Sequence, residues 1–207
     1  MADPALDVAV ELVRDRASLA RISAQWEELA RHALESSPLH DPVMTLALLE
    51  AAGAGGFRCC LSWARDPERS DLPAALGGLF ALRRARGAWG FPSWIVHTTL
   101  VVAEDAQRHV AALLDWLECS GAAVVEFRQV PREGRLNDAL ADVLRERDST
   151  VHVREGAAAG GAAGPGLRNL VIGLGTVGEM WVSMLPLLDR ARRRMAASRA
   201  ESRAVAA

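Results

Sequence analysis

The chain has 207 residues, half of them hydrophobic, and a formal net charge of −2, which predicts a real core and argues against disorder over most of its length. This near-neutral balance provides no broad basic field for phosphates, so the composition argues against nucleic-acid binding. Lysine and tyrosine are absent and arginine is the only basic residue besides histidine, which we attribute to codon usage in a GC-rich bacterial genome.

The N-terminus and the cysteines predict a cytoplasmic protein. Residues Met1–Asp7 contain neither the basic nor the apolar segment of an export signal. No apolar run approaches the length of a membrane span. Cys59, Cys60 and Cys119 are odd in number and lack ligand-spaced partners, so they predict reduced thiols rather than disulfides or a metal site.

Apolar periodicity divides the first half of the chain into strands and helices. Strands alternate apolar and polar residues, whereas helices repeat apolar residues every three or four positions. Gly77-Gly78 interrupts a strand and predicts a bulge or a close backbone approach. The predicted elements are a strand at Val8–Val13, helices at Leu19–Ala33 and from Asp41-Pro42 to Leu49, and strands at Phe57–Ala64 and Ala74–Leu82.

The second half continues the alternation, and the whole order indicates a mixed α/β layer fold. Residues 156–166 are rich in alanine and glycine and predict a linker or loop between a lobe at 1–155 and a C-terminal segment at 167–207, whose end we expect to be disordered. The predicted elements are strands at Ile95–Val102, Ala122–Val130, Val151–Arg154 and Arg168–Leu174, and helices at Glu104–Cys119, Leu136–Arg147 and from Glu179 onward.

The strand Thr98–Val102 and the segment Ala103–Leu114 that follows it resemble the central motif of the GNAT superfamily of acyltransferases, a strand followed by a loop and a helix. The resemblance implies a GNAT-like central mixed sheet flanked by helices, here with a C-terminal basic helix. In that family a loop of the type Arg/Gln-x-x-Gly-x-Gly/Ala places backbone amides near the pyrophosphate of acyl-CoA. The implied contacts to acetyl-CoA or another acyl-CoA are Val102, Gln107, Arg108, His109, Val110 and Ala112, and no metal is implied.

The loop departs from the family pattern at one position. Gln107 takes the first place of the pattern and Ala112 the last, but Val110 stands where the first glycine should be. A β-branched side chain there is expected to obstruct a diphosphate and to disfavour positive φ. The sequence therefore predicts a surviving scaffold with a degenerate phosphate site.

A narrower resemblance is to bacterial acetyltransferase-like proteins associated with cellulose biosynthesis, which have two GNAT lobes in tandem. It is carried by Trp26–Ala30, Asp41-Pro42 and Gly77–Arg84, and by Gly178–Pro186 followed by Arg190–Arg194. This resemblance implies that the chain corresponds to a first lobe. The expected partners are then a small-molecule amine, a second GNAT lobe or a second copy of the chain.

Two residues are candidates for the base that would deprotonate an amine. His97 precedes the central strand and has a near-neutral intrinsic pKa, and Glu126 lies on the following strand. The alternative for both residues is a structural or solvent-facing role. Arg108 and His109 would either contact an anionic cofactor or form the solvent face of their helix, and the solvent face is the favoured interpretation.

The run Gly173–Gly178 matches the dinucleotide fingerprint Gly-x-Gly-x-x-Gly. A dinucleotide site also needs a following strand with an acidic residue, and only an arginine- and alanine-rich segment follows. We therefore favour a glycine-rich turn before a helix over an NAD or FAD site.

The last helix carries arginines and an apolar face. The arginines at 190, 192, 193, 194, 199 and 203 predict a solvated basic surface, with phosphate, lipid or an acidic partner as alternatives. Trp181, Met184, Leu185 and Leu188 need cover from this domain or from another subunit. The functional hypotheses are thus an acyl-CoA-dependent N-acyltransferase, a non-catalytic lobe that pairs with a partner, and a dinucleotide-binding protein.

Overall fold

A seven-stranded mixed sheet organises the chain in the computed structural model, which describes residues 7–35, 40–51, 58–65, 74–86, 91–157 and 163–205. The strands are β1 Asp7–Val13, β2 Arg58–Arg65, β3 Ala75–Arg86, β4 Pro92–Val101, β5 Val124–Pro131, β6 Val151–Ala157 and β7 Ala163–Gly173. The helices are α1 Arg16–Arg21, α2 Ser23–Arg31, α3 Pro42–Ala51, α4 Ala106–Cys119, α5 Arg135–Glu146 and α6 Gly175–Val205.

The strands lie in the order β1-β2-β3-β4-β5-β7-β6. Strands β1 to β4 form an antiparallel meander, and β5, β7 and β6 are also paired antiparallel. Only β4 and β5 are parallel, and α4 connects them. The predicted fold class, a mixed sheet flanked by helices, is confirmed.

Helices cover both faces of the sheet. On one face α4 and α5 bury their apolar stripes, with Val110, Leu114 and Leu140 fully enclosed. On the other face Trp26 and Leu29 of α2 pack on β2, β3 and β4, while α6 packs on β5 and β7. The sheet is therefore the middle layer of three.

Two elements differ from the sequence prediction. The helix expected over Leu19–Ala33 is broken into α1 and α2, because Ile22 leaves the helical region with φ −101° and ψ 13°. Residues 156–157 and 163–166, expected in the linker, belong to β6 and β7, and β7 lies between β5 and β6 in the same sheet. Residues 158–162 of that segment, the helix end at Gly53, the loop expected over 66–71 and residues 89 and 90 of the expected turn lie outside the described residues.

Gly77 and Gly78 make room for a buried polar pair, in agreement with the predicted bulge. The β2–β3 register shifts beside Gly77. A Cβ atom on Gly77 would lie 2.0 Å from Nε2 of His109, and one on Gly78 would lie 2.3 Å from Oγ of Ser62. Nδ1 of His109 and Oγ of Ser62 are hydrogen-bonded at 2.9 Å, and both side chains are fully buried. The hydrogen-bonded pair thus occupies the space that side chains at positions 77 and 78 would otherwise fill.

We expect Gly77→Ala to lower the free energy of unfolding by about 2–3 kcal/mol, because the new methyl group overlaps the imidazole of His109. In a His109→Ala background the same substitution should cost almost nothing, because the ring is gone. Urea unfolding of the four members of this double-mutant cycle measures the coupling. Additive effects of the two substitutions would contradict the proposed packing.

Candidate functional site

A wedge opens in the sheet where β4 and β5 separate. The two strands are paired only from Ser93 to Val96 in β4 and from Val124 to Phe127 in β5. Beyond these pairs lies a cavity of about 230 Å³. Its lining comprises Glu35, His40, His97, Thr98, Thr99, Arg128, Gln129, Val130, Pro131 and Leu136.

Irregular backbone on both strands forms the mouth of the wedge. The β3–β4 register skips His97, so this residue bulges from β4. On β5 the register with β7 shifts after Phe127, and Gln129 adopts a φ of 56°. The side-chain oxygen of Asn169 accepts a hydrogen bond from the amide of Gln129 at 3.1 Å, which holds this left-handed conformation.

His97 is neutral at physiological pH. Burial lowers its pKa, and the positive charges of Arg128 and Arg83 lower it further, to about 4. The carboxylate of Glu126 acts in the opposite direction but does not compensate. The structure therefore places a half-buried, unprotonated imidazole at the wedge, where it can accept a hydrogen bond.

Glu126 lies near His97 but opens onto a different cavity, next to α6. Its carboxylate accepts hydrogen bonds from Nε of Arg128 at 3.0 Å and from Nδ2 of Asn169 at 3.3 Å. Arg128 lines both cavities and so stands between the two candidate bases. His40, to which the sequence assigned no role, shares the wedge with His97, and burial lowers its pKa as well.

A second cavity, of about 530 Å³, lies at the N-terminus of α4. The first amides of a helix have no partner within it, and the side chain of the N-cap residue Asp105 does not bond to them. These amides and the helix dipole favour an anion. The lining comprises Leu34, residues 103–108, Arg135, Asp138, Ala139 and Asp142.

The structure corrects the expected effect of Val110. Its side chain is fully buried in the core beneath the helix, so it does not enter the cavity at the N-terminus of α4. His109 is also fully buried, whereas the sequence favoured the solvent face for it. Residues three and four positions apart share a helix face, and this face of α4 packs on the sheet. Ala112, expected at the end of the phosphate loop, lies in the second turn of α4.

Charge around this cavity is mixed, with an acidic excess. Glu104, Asp105, Asp138 and Asp142 line it together with only two arginines. Arg108 pairs with Asp105 at 3.3 Å, and Nε2 of Gln107 donates to Asp142 at 2.8 Å. The volume of the cavity, its helix amides and its two guanidinium groups therefore suit a diphosphate. The surrounding carboxylates weaken the binding of this anion.

The segment that follows α2 covers part of the edge of β4 next to the wedge. Ala33 forms an antiparallel bridge with Val102, and the amide of Leu34 donates to the carbonyl of Val101 at 2.8 Å. The amide of Val102 donates to the carbonyl of Gly77 at 2.9 Å. The backbone amide of this predicted cofactor contact is therefore already engaged.

Glu35 closes the wall between the two cavities. Its carboxylate accepts a hydrogen bond from the amide of Leu136 at 3.1 Å and so caps α5. Glu35 and Leu136 line the wedge, whereas their chain neighbours Leu34 and Arg135 line the cavity at α4. The wedge and the α4 cavity thus lie on two sides of one wall.

The glycine fingerprint serves packing between β7 and α6, as the favoured interpretation of the sequence expected. Gly175 begins α6 with a φ of +61°. A Cβ atom on Gly178 would lie 1.8 Å from the carbonyl oxygen of Ala123, and one on Gly173 would lie 2.5 Å from the amide of Glu179. This first turn is therefore covered by protein, and no strand follows it in the described residues.

The cysteines of β2 and the remaining candidates on α6 line neither the wedge nor the α4 cavity. Burial raises the pKa of Cys59 to about 12 and raises that of Cys60 further, so neither thiol is a nucleophile at neutral pH. On α6, Trp181 and Leu185 are buried against the sheet, whereas Met184 is exposed. Of the arginines in α6 whose side chains are described, those at 190 and 193 are exposed.

None of the helices in the described part of the chain combines the length and the apolar character that crossing a membrane requires. The same part of the chain contains no cluster of three or more His, Cys, Asp or Glu side chains able to hold a metal ion.

Several residues of the site were not identified from the sequence. Arg83, Arg128, Gln129 and Asn169 surround His97 and Glu126. They come from three strands, and only the pairing of those strands brings them together. The single local signal was a pair of polar residues, Arg128-Gln129, at the end of an apolar strand.

Comparison with known proteins finds similarity only at the level of structure. No family model matches the sequence, and a search of curated proteins finds no match. Solved structures with a similar fold include a diaminobutyrate acetyltransferase from Paenibacillus lautus, in complex with L-2,4-diaminobutyric acid and coenzyme A. Its TM-score is 0.47 at 16% identity, over 82% of this chain and 96% of that chain.

Two more structures illustrate the range of the similarity. An acetyltransferase from Bacillus subtilis in complex with coenzyme A gives a TM-score of 0.47 at 12% identity, over 81% of this chain and 99% of that chain. A domain from Methanocaldococcus jannaschii gives a TM-score of 0.50 at 9% identity, over 82% of this chain and all of that chain. At such identities the similarity concerns the fold alone.

The buried His109 predicts a loss of stability in mild acid. Burial lowers its pKa from 6.5 to about 4, with partial opposition from the charge of Asp105. The unfolded chain then binds more protons between pH 6.5 and 4, so this stabilisation is complete above that window and falls as the pH falls through it. Urea unfolding should show a loss that is larger in the wild type than in His109→Gln by about 2–3 kcal/mol, because the similarly shifted His97 contributes to both proteins. Equal pH dependence of the two proteins would refute this assignment.

The substitution Gly178→Ala distinguishes the effect of close packing on stability from the effect of helix propensity. Alanine is a better helix former than glycine by about 1 kcal/mol, so an unpacked turn would be stabilised. Because the methyl group would overlap the carbonyl of Ala123, we expect instead a loss of about 3 kcal/mol on chemical denaturation. Val177→Ala, at an exposed neighbour in the same turn, is the matched control and should change stability by about 0.5 kcal/mol or less.

Proposed function

We propose that this chain is a GNAT-type, acyl-CoA-dependent N-acyltransferase that transfers an acyl group to a small-molecule amine. The observation that carries the proposal is the wedge between β4 and β5, with an unprotonated His97, beside the cavity at the N-terminus of α4. An anion at α4 and a reacting group in the wedge would lie on two sides of the wall formed by Glu35 and Leu136. Chains of this fold include the acetyltransferase structures that contain coenzyme A.

The residues that would hold acyl-CoA follow from the cavity at α4. The free amides at positions 106–108 would receive the diphosphate, assisted by the guanidinium groups of Arg108 and Arg135. Gln107 lies beside them but is bonded to Asp142. When bound, acyl-CoA supplies the activated thioester.

The chemistry assigned to the protein is proton handling at the wedge. One ring nitrogen of His97 can accept a hydrogen bond from the attacking amine, because the ring is neutral at pH 7. Arg128 holds Glu126 in an ion pair 3.0 Å long, so this carboxylate is better suited to orienting groups than to accepting the proton. We therefore assign the base to His97 and a positioning role to Glu126.

The second candidate function is a non-catalytic lobe that pairs with another lobe, as in the tandem proteins that the sequence resembles. Two observations favour it: the acidic excess around the α4 cavity, and the bridge from Ala33 to Val102 at the strand edge. A second copy of the chain or a separate lobe would then be the partner. The exposed Val177, Met180, Met184 and Leu187 on α6 are compatible with such an interface.

Calorimetric titration with coenzyme A distinguishes the two candidates. We expect saturable binding to the wild-type chain, and binding about two- to fivefold tighter to Asp138→Asn, because this substitution removes one carboxylate from the cavity. Glu146→Gln, an exposed carboxylate at the other end of α5, is the control and should leave the affinity unchanged. If neither the wild type nor Asp138→Asn gives heat at millimolar coenzyme A, the acyltransferase proposal fails and the non-catalytic lobe remains.

A further inference from the structure

A third cavity lies between α6 and the sheet, and it has an apolar floor. Its volume is about 420 Å³, within the range of small-molecule sites. Ile95 and Val171 form its base on the sheet, and Trp181 and Leu185 face them from α6. All four side chains are less than a tenth exposed. The floor is thus suited to a compact apolar or aromatic group.

Strand pairing places charged groups directly beside this floor. Arg83 pairs with Ile95, Ile95 with Glu126, and Glu126 with Val171, so these residues form one row across four strands. Residues in such a row point to the same face of the sheet. Arg128 and Arg154 also line the cavity, together with Asp189 of α6.

Both carboxylates of the cavity already have cationic partners. Glu126 accepts from Arg128, and Asp189 accepts from Nε2 of His152 at 3.0 Å and from Nη2 of Arg154 at 3.4 Å. Burial alone would raise the pKa of Asp189, but these hydrogen bonds and charges outweigh it and lower that pKa. Asp189 is therefore ionised and fixed.

The guanidinium of Arg83 is left uncompensated. Three arginines face two carboxylates in this lining. Arg83 is exposed and forms no ion pair within the described residues, and its charge acts together with that of Arg128 on His97. A cavity with an apolar floor and one surplus positive charge at its rim favours an amphipathic anion.

We propose that the cavity beneath α6 binds an organic carboxylate with an apolar or aromatic body, its carboxylate at Arg83 and Arg128 and its body on Trp181. This binding does not depend on acyl transfer. Only one consequence rests on the proposed function: the ligand would then be the acceptor, an amine that also carries a carboxylate. The amine would point toward His97, which the same two arginines influence.

Phenylacetate and its neutral isostere 2-phenylacetamide test the inference by calorimetry, without coenzyme A. We expect phenylacetate to bind in the millimolar range and 2-phenylacetamide at least about tenfold more weakly, because only the first makes a charge-assisted contact. Arg83→Gln should weaken phenylacetate binding about tenfold. Arg145→Gln, an exposed arginine of α5 outside this cavity, should leave it unchanged.

The variant Arg128→Gln and an NMR titration of His97 provide two further tests of phenylacetate binding. Arg128→Gln should also weaken phenylacetate binding, and NMR titration should show a higher pKa of His97 with phenylacetate bound, because the anion offsets both arginines. Equal affinity for the two probes, or unchanged affinity in both arginine variants, would overturn the inference. Coenzyme A binding reports on the proposed function separately, so the two proposals fail independently.

Discussion

Only four residue pairs join β4 to β5, and the rest of the site depends on the early end of this pairing. A parallel pair needs a crossover, and α4 is that crossover, so its N-terminus must begin at the carboxyl end of β4. Beyond the last pair, the facing edges of β4 and β5 no longer pair with each other. The wedge and the N-terminus of α4 thus lie next to each other because the strand direction changes between β4 and β5. Ligands of open α/β sheets bind at such points.

Burial lowers the pKa of both His97 and His109, and positive charge adds to this effect only at His97. His97 and His109 are both kept neutral by removal from water, but only His97 borders a cavity and has arginines around it. The ring of His109 fills the space next to Gly77, where any other residue would have a side chain. Arg128 connects the wedge with the cavity beneath α6, because it lines both. The cavity beneath α6 has one surplus positive charge, whereas the α4 cavity has an acidic excess.

The sequence predicted most of the fold, because alternation and helical spacing are local properties of a chain. It also predicted the irregularity at Gly77-Gly78 and the structural use of Gly178. It did not predict that His109 lies on the buried face of α4, because the solvent face was favoured for that residue. Nor did it bring Arg83 to Ile95 and Glu126, because that row exists only once the strands are paired. His97 and Glu126 were chosen by residue type, and their assigned roles stay predictions.

The position of β7 between β5 and β6 has a consequence for the order of events during translation. Residues 151–157 leave the ribosome before 163–173, yet in the finished sheet β6 is paired with β7 and not with β5. Until β7 is made, the nascent chain holds β5 with an open edge and β6 with no neighbour. Val151 and Val153 stay exposed even in the folded protein. The interval between synthesis of β6 and of β7 is therefore when this chain is most open to pairing with another molecule.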